Sequence, residues 1–185
     1  SSDLARPGGS DRPPERAGMD LTVRRGRPGD GAAVAALHNP VIAHTALTFT
    51  TRLRAEAEVD ALIAGGQPHW LADAAGGPVG FATFVPFRRG PGYARTFEHT
   101  VIVAPRARGR GAGWALMAAL ERGAAGAGGH SLFAGVAGEN AAGRAFHAAL
   151  GFAEAALLRQ VGWKFGRWHD LVLMQKFLSP AQGAL

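Results

Sequence analysis

The segment Thr96 to Leu120 constrains the chain most. An alternating strand, a turn with glycine at every second position and an apolar helix follow one another there without a spacer. Phe97, His99, Val101 and Val103 alternate with Glu98, Thr100 and Ile102, the period of two that gives a β-strand two differently lined faces. Pro105 ends the strand. Gly109, Gly111 and Gly113 let backbone come close to a ligand, and Trp114, Leu116, Met117 and Leu120 continue as a helix. Bare N–H groups at a helix start, backed by the positive end of the helix dipole, form an anion site.

The kind of anion is narrowed by what is missing. No Gly-Lys-Ser/Thr follows the glycines, so the lysine and Mg²⁺ ligand of a nucleoside-triphosphate loop are absent. The glycines alternate, which departs from the Gly-x-Gly-x-x-Gly dinucleotide order. Arg108-x-x-Gly111-x-Gly113 after Val101-x-Val103 instead resembles the acyl-CoA pyrophosphate loop of the GNAT N-acetyltransferase superfamily. Taken alone, a motif this short also reads as a plain turn.

Composition bounds the rest. The chain has 185 residues, 47% of them hydrophobic, enough to bury the core of a single domain. With no cysteine, a disulfide scaffold and a thiolate metal site are excluded, which fits a reducing cytoplasm. No stretch is long and apolar enough to cross a membrane, and residues 1–18 lack the apolar core of a signal peptide; a soluble, cytoplasmic protein is expected. The formal charge of +6 rests almost wholly on arginine, since Lys164 and Lys176 are the only lysines. These arginines are scattered through an Ala- and Gly-rich chain, which argues for genome composition rather than a nucleic-acid partner.

Residues 1–18 are rich in Pro, Gly and charge and read as a flexible arm, followed by one domain over 19–178 and a tail over 179–185. Within the domain, Leu21 to Arg25 reads as a strand. Asp30 reads as the N-cap of a helix running past Asn39-Pro40 to His44, Ala46 to Thr51 as an extended piece, and Leu53 to Ile63 as a second helix. Strands His69 to Ala74 and Val79 to Val85 flank a Gly76-Gly77 hairpin turn. After the central strand and helix come a strand at Ser131 to Val136, a helix from Glu139 to Leu150, and strands at Glu154 to Trp163 and Trp168 to Lys176. The order β-α-α-β-β-β-α-β-α-β-β implies an α/β (α+β) domain with helices on the faces of a mixed sheet.

That order places a second motif. Asn140, His147 and Gly151-Phe152 resemble the other GNAT signature, an Asn followed seven residues later by an aromatic or polar group and then Gly-Phe. Two helical turns bring Asn140 and His147 onto one side. The likeness extends to the GNAT branch that acetylates phosphinothricin and methionine sulfoximine. It rests on Ala46-Leu47-Thr48-Phe49, Phe87-Arg88-x-x-x-Gly92-Tyr93, Thr96-x-Glu98-His99-Thr100-Val101-x-Val103, Ala145-Phe146-His147 and Val161 to Asp170, and covers Met19 to Phe177.

The resemblance implies the GNAT fold, a mostly antiparallel sheet of about six to seven strands flanked by about four helices and splayed at its central strand to admit acetyl-CoA. It further implies acetyl-CoA as co-substrate, a small amino-acid-like amine as acceptor, a resistance role toward such acceptors, and a homodimer without nucleic-acid or membrane partners. On the matching positions, Val101, Ile102 and Val103 hold the pantetheine arm through their backbones, with Asn140 beside it. Arg108, Gly109, Arg110, Gly111, Ala112, Gly113 and Trp114 take the pyrophosphate. Phe49, Arg88, Arg89, Gly90, Tyr93, Glu98, His99 and Thr100 are the acceptor candidates.

Two residues are expected to be catalytic. An α-amine is mostly protonated near neutral pH and must lose a proton before it attacks a thioester, so a base is needed, for which Glu98 is first choice. Its alternative is a plain ion pair with Arg88 or Arg95. His147 stands where many relatives carry the Tyr that protonates the departing thiolate; its alternatives are a proton relay or a packed residue. Asn140 has the competing role of a helix cap, and Arg88 that of a solvated loop residue. His99 alternates onto the strand face opposite Glu98, which counts against one ligand touching both side chains. No His-x-x-x-His helix accompanies a carboxylate, and acetyl transfer needs no metal. Ile102 and Ala94 stand where the branch often has Tyr and Arg, departures that bear on the acceptor pocket. The rival readings are acetylation of a protein N-terminus or polyamine, and a CoA-binding regulator without catalysis.

Overall fold

A computed structural model describes residues 20–178; the arm and tail expected at 1–18 and 179–185 lie outside the described residues. Seven strands form one sheet in the order β1-β2-β3-β4-β5-β7-β6. They are β1 Thr22–Arg25, β2 His69–Ala74, β3 Gly77–Pro86, β4 Thr96–Val103, β5 Ser131–Ala137, β6 Ala153–Lys164 and β7 Arg167–Phe177. The helices are α1 Gly31–His44, α2 Glu56–Ala64, α3 Ala112–Gly126 and α4 Ala141–Ala149. The element order and the mixed sheet are those expected from the sequence.

Only β4 and β5 run parallel, because α3 crosses over between them; all other neighbours are antiparallel. Their pairing is short. Thr96 to His99 match Ser131 to Ala134, while Thr100 to Val103 pair with β3 alone and Gly135 to Ala137 pair with β7 alone. The sheet therefore opens like a V halfway along β4.

Alternation along β4 assigns its two faces. Phe97, Val101 and Val103 pack with Leu116, Met117 and Leu120 of α3, whereas Ile102 packs with Val34, Val59, Ile63 and Phe81 beneath α1 and α2. The β3–β4 register has no shift, so no bulge mixes the faces. Gly123 serves the α3 face, because a Cβ there would strike the Trp70 ring.

Two local expectations are corrected. Asp30 makes no side-chain cap; its carboxylate takes Arg24 at 2.8 Å and the Arg27 N–H at 2.8 Å. The start of α1 is instead served by Asp60 of α2, whose Oδ1 accepts from the N–H of Gly29 at 2.9 Å and of Gly31 at 2.8 Å. Residues 46–51 are irregular rather than extended. Side chains fix that loop in place of a ladder: Lys164 Nζ donates to Thr48 O at 2.7 Å, and Asn39 holds Arg54 by its N–H at 2.8 Å and its C=O at 3.0 Å.

Candidate active site

A cleft of about 410 Å³ passes through the V between β4 and β5. His38, Thr48, Phe49, Arg54, Glu98 and Thr100 line it on the α1 side, and His99, Asn140 and His147 on the α4 side. One opening thus joins the two faces of the sheet.

The α4 side is built largely from backbone. Along Thr100 to Val103 the edge of β4 that faces the V has no β5 partner, so an extended ligand can lie against it as a strand would. In the following loop Gly109 and Gly111 have φ of 70° and 90°, a region that glycine enters freely. Among the described residues, the N–H groups of Gly109, Gly111, Ala112, Gly113 and Trp114 meet no backbone carbonyl, and all cluster at the start of α3. Gly113 lies under the Phe146 ring, where a Cβ would come within 3.1 Å. Trp114 is exposed, edge-on to Phe146 at 6.2 Å, and Arg108 Nε donates to Val103 O at 3.4 Å. Open strand edge, free N–H groups and two loop arginines suit an acyl-CoA, with its extended pantetheine arm and its pyrophosphate.

Asn140 serves as a cap: its Oδ1 accepts from Gly143 N at 2.9 Å. Asn140 also borders the cleft. His147 and His99 are buried against each other, Nε2 to Nε2 at 3.1 Å. The His147 Nδ1 lies 2.8 Å from Gly143 O and the His99 Nδ1 2.8 Å from Phe133 O. His99 therefore backs His147 rather than reaching the α1 side of the cleft. Burial and the neighbouring His147 push His99 down to about 3, and burial lowers His147.

The α1 side is built from side chains. Burial raises the Glu98 carboxyl above its usual range, and Arg88 pulls it back. The Glu98 side chain lies over Gly135, where a Cβ would stand 3.0 Å from its Oε1. Phe49 lies flat on Gly162 and stacks at 5.6 Å on His169, which is buried between Glu139 at 3.0 Å and Lys164 O at 3.1 Å. The β6–β7 turn thus positions the loop that carries Phe49.

Of the acceptor residues expected from sequence, Phe49, Glu98, His99 and Thr100 border the cleft. Arg88, Arg89 and Gly90 lie instead around a separate shallow hollow, and Tyr93 is exposed on the 3₁₀ turn Pro91–Tyr93. Arg88 there stacks on Phe87 at 4.4 Å.

Three residues on or beside the α1 side of the cleft were not singled out as site candidates in the sequence: His38, Arg54 and Lys164. His38 is pushed down to about 4 by burial, Arg54 and Lys164, and stays neutral near pH 7. Lys164 is buried, and burial lowers its ammonium. Arg54 borders the cleft and has no side-chain ion pair among the described residues. Nothing in a single sequence ties Arg54 to Asn39 or Lys164 to Thr48, so no motif announces them. Among the described residues no group of three His, Asp or Glu side chains is placed to hold a metal ion, and no helix is long and apolar enough to cross a membrane.

The acetyltransferase (GNAT) family model matches residues 34–152, a span holding both the loop and the Asn140–His147 helix. The chain belongs to the GNAT acetyltransferases. This acetyltransferase is 35% identical over 162 residues to the L-methionine sulfoximine/L-methionine sulfone acetyltransferase of Salmonella typhimurium, spanning 84% of this chain and 93% of the relative. It is 34% identical over 182 residues to the phosphinothricin N-acetyltransferase of Alcaligenes faecalis, spanning 93% of this chain and 92% of the relative. A solved acetyltransferase from Salmonella typhimurium, with its cofactor acetyl-CoA, superposes with a TM-score of 0.81 at 34% identity over 88% of this chain and 96% of that one.

Proposed function

We propose that this GNAT enzyme moves acetyl from acetyl-CoA to the α-amine of a small amino-acid-like acceptor of the phosphinothricin, methionine sulfoximine or methionine sulfone type. The observation that carries the reading is the single cleft with an open strand edge on one side and a carboxylate, Glu98, on the other. The relatives named for methionine sulfoximine, methionine sulfone and phosphinothricin support the acceptor class.

The thioester lies in the V with its pantetheine along Val101 to Val103. The acceptor enters from the α1 side as an ammonium ion. Glu98 takes its proton, directly or through one water, the freed amine attacks the thioester carbonyl, and the nitrogen gives up a second proton to water as the C–S bond of the tetrahedral intermediate breaks. Backbone N–H groups at the open edge near Val103 face the developing oxyanion. The thiolate departs toward His147. Arg54, a fork donor with no carboxylate of its own, holds the acceptor's carboxylate or phosphinate, with Arg88 adding charge from the rim.

The enzyme is a cytoplasmic homodimer in this reading. The support is the edge strand β6 and its turn, which expose Leu157, Val161, Trp163, Phe165 and Trp168 as one apolar band. Sedimentation velocity checks it, and a monomer at micromolar concentration contradicts it.

An acceptor screen by mass spectrometry tests the function. Acetylation of phosphinothricin, methionine sulfoximine, methionine sulfone or an ordinary amino acid is expected. Turnover confined to peptide N-termini or polyamines moves the enzyme to another acceptor class, and acetyl-CoA binding with no turnover makes it a regulator.

A further inference from the structure

The hydrogen bonds of His99 and His147 do not balance for two neutral rings. Three hydrogen bonds converge on four ring nitrogens: Nδ1 of His99 to Phe133 O, Nδ1 of His147 to Gly143 O, and Nε2 to Nε2 at 3.1 Å. Both carbonyls only accept, so each Nδ1 must carry a hydrogen. A neutral imidazole has one N–H, which leaves two bare Nε2 lone pairs aimed at each other. Two neutral rings supply two hydrogens where the geometry uses three.

We infer that His99 is a positioning residue that holds His147 as an imidazolium in the cleft wall, so that the departing CoA thiolate meets a fixed positive charge. This rests on the acetyl-transfer reading above. With one added proton every hydrogen bond is filled: His147 donates through Nδ1 to Gly143 O and through Nε2 to His99, and His99 donates through Nδ1 to Phe133 O.

One feature favours His147 as the holder. Burial lowers both rings, and the neighbouring His147 takes His99 further down, to about 3, so the added proton that the hydrogen-bond geometry requires rests on His147 and His99 is the neutral acceptor. The surroundings add no competing charge. Around the two rings pack Ala134 of β5, Phe146 of α4 and Phe152, and among the described residues no other charged group shifts either ring. Glu98 stands on the opposite face of β4.

The arrangement also alters what His147 does. Both of its nitrogens are engaged by protein, so in this geometry it has no free N–H for the sulfur. Its contribution is electrostatic, acting in a water-poor wall where a fixed charge counts for more than in bulk water.

Two measurements on the full chain test the proposal. The first is ¹⁵N NMR of the histidine rings in the free protein, which needs no turnover and so separates this proposal from the acetyl-transfer reading. At pH 7 one ring should carry hydrogens on both nitrogens, bonded to a second, neutral ring with its hydrogen on Nδ1. Two neutral rings, one of them with its hydrogen on Nε2 and therefore no hydrogen bond from Nδ1 to its carbonyl, overturn the proposal. The second is the pH profile of His99→Phe. Without its acceptor, His147 gives up its proton at lower pH, so the alkaline limb of kcat should move down by about one unit and kcat should fall at least about tenfold. KM for acetyl-CoA should stay within about twofold. An alkaline limb unmoved in His99→Phe overturns the assignment. Should that variant not fold, the NMR spectrum of the unaltered chain decides between the two protonation states by itself.

Discussion

The two sides of the cleft are made of different material. On the α4 side the contact surface is main chain: the open edge of β4 and the N–H groups from Gly109 to Trp114. On the α1 side it is side chains from scattered places, with Phe49 and Arg54 from one loop, His38 from α1 and Glu98 from β4. A backbone surface tolerates side-chain drift so long as glycine keeps the turn. A side-chain surface changes with each substitution. In the proposed reading the difference separates a fixed donor of acetyl from an adjustable choice of amine.

The comparison breaks most sharply at Glu98, which lines the α1 side of the cleft and is the base in the proposed reaction. Glu98→Gln should lower kcat at least about tenfold near neutral pH. It should also remove the acid limb, which reflects loss of the base as pH falls through its raised pKa. Because burial makes the ionised carboxylate costly, the same variant should melt at an equal or higher temperature at pH 7. A lower melting temperature with unchanged kcat would mean that Glu98 is structural.

The backbone side is broken at Gly111, whose φ of 90° resists a Cβ even though the space around it is open. Gly111→Val should raise KM for acetyl-CoA by about tenfold and leave KM for the acceptor near its starting value, the signature of a lost anion loop. Equal rises in both would merge the two sides. The mirror experiment is Arg54→Met. KM for anionic acceptors should rise by about fivefold to tenfold, and KM for acetyl-CoA should not move; steady-state kinetics against an acceptor series decides between Arg54 and Arg88.

A smaller effect sharpens the boundary between structure and function. Asn140→Ala removes the α4 cap and should cost about 1 kcal/mol, read as a lower denaturation midpoint. The smallest effect concerns pH. His38 and His69 are both driven below 6.5 by burial, so the folded state binds fewer protons than the unfolded one. The stability they add is present above pH 6.5 and drains as pH falls toward 5; a melting temperature that rises over that interval contradicts it.

The same division explains what was legible in the sequence. Periodicity gave every strand and helix in order, because alternation along β4 and the apolar rows of α3 are local properties. The glycines at 109, 111 and 113 were legible because a backbone anion site leaves a composition mark. The acceptor side left no such mark. Asn39 clamping Arg54, Lys164 reaching Thr48 across 116 positions, and His99 meeting His147 across 48 are products of the completed fold. The Arg88 loop drew attention by its motif, yet in the fold it lines a hollow separate from the cleft. Asp30 looked like a cap because Asp before a helix often is one; Arg24 claimed its carboxylate and Asp60 took over the helix start.

The central claim is that acetyl donor and amine meet across the V from opposite faces of β4. A crystal structure with CoA and methionine sulfone bound together tests it most directly. The account predicts pantetheine along Val101 to Val103, the amine next to Glu98 directly or through one water, and the carboxylate at Arg54. An acceptor bound on the His147 face, away from Glu98, would contradict it.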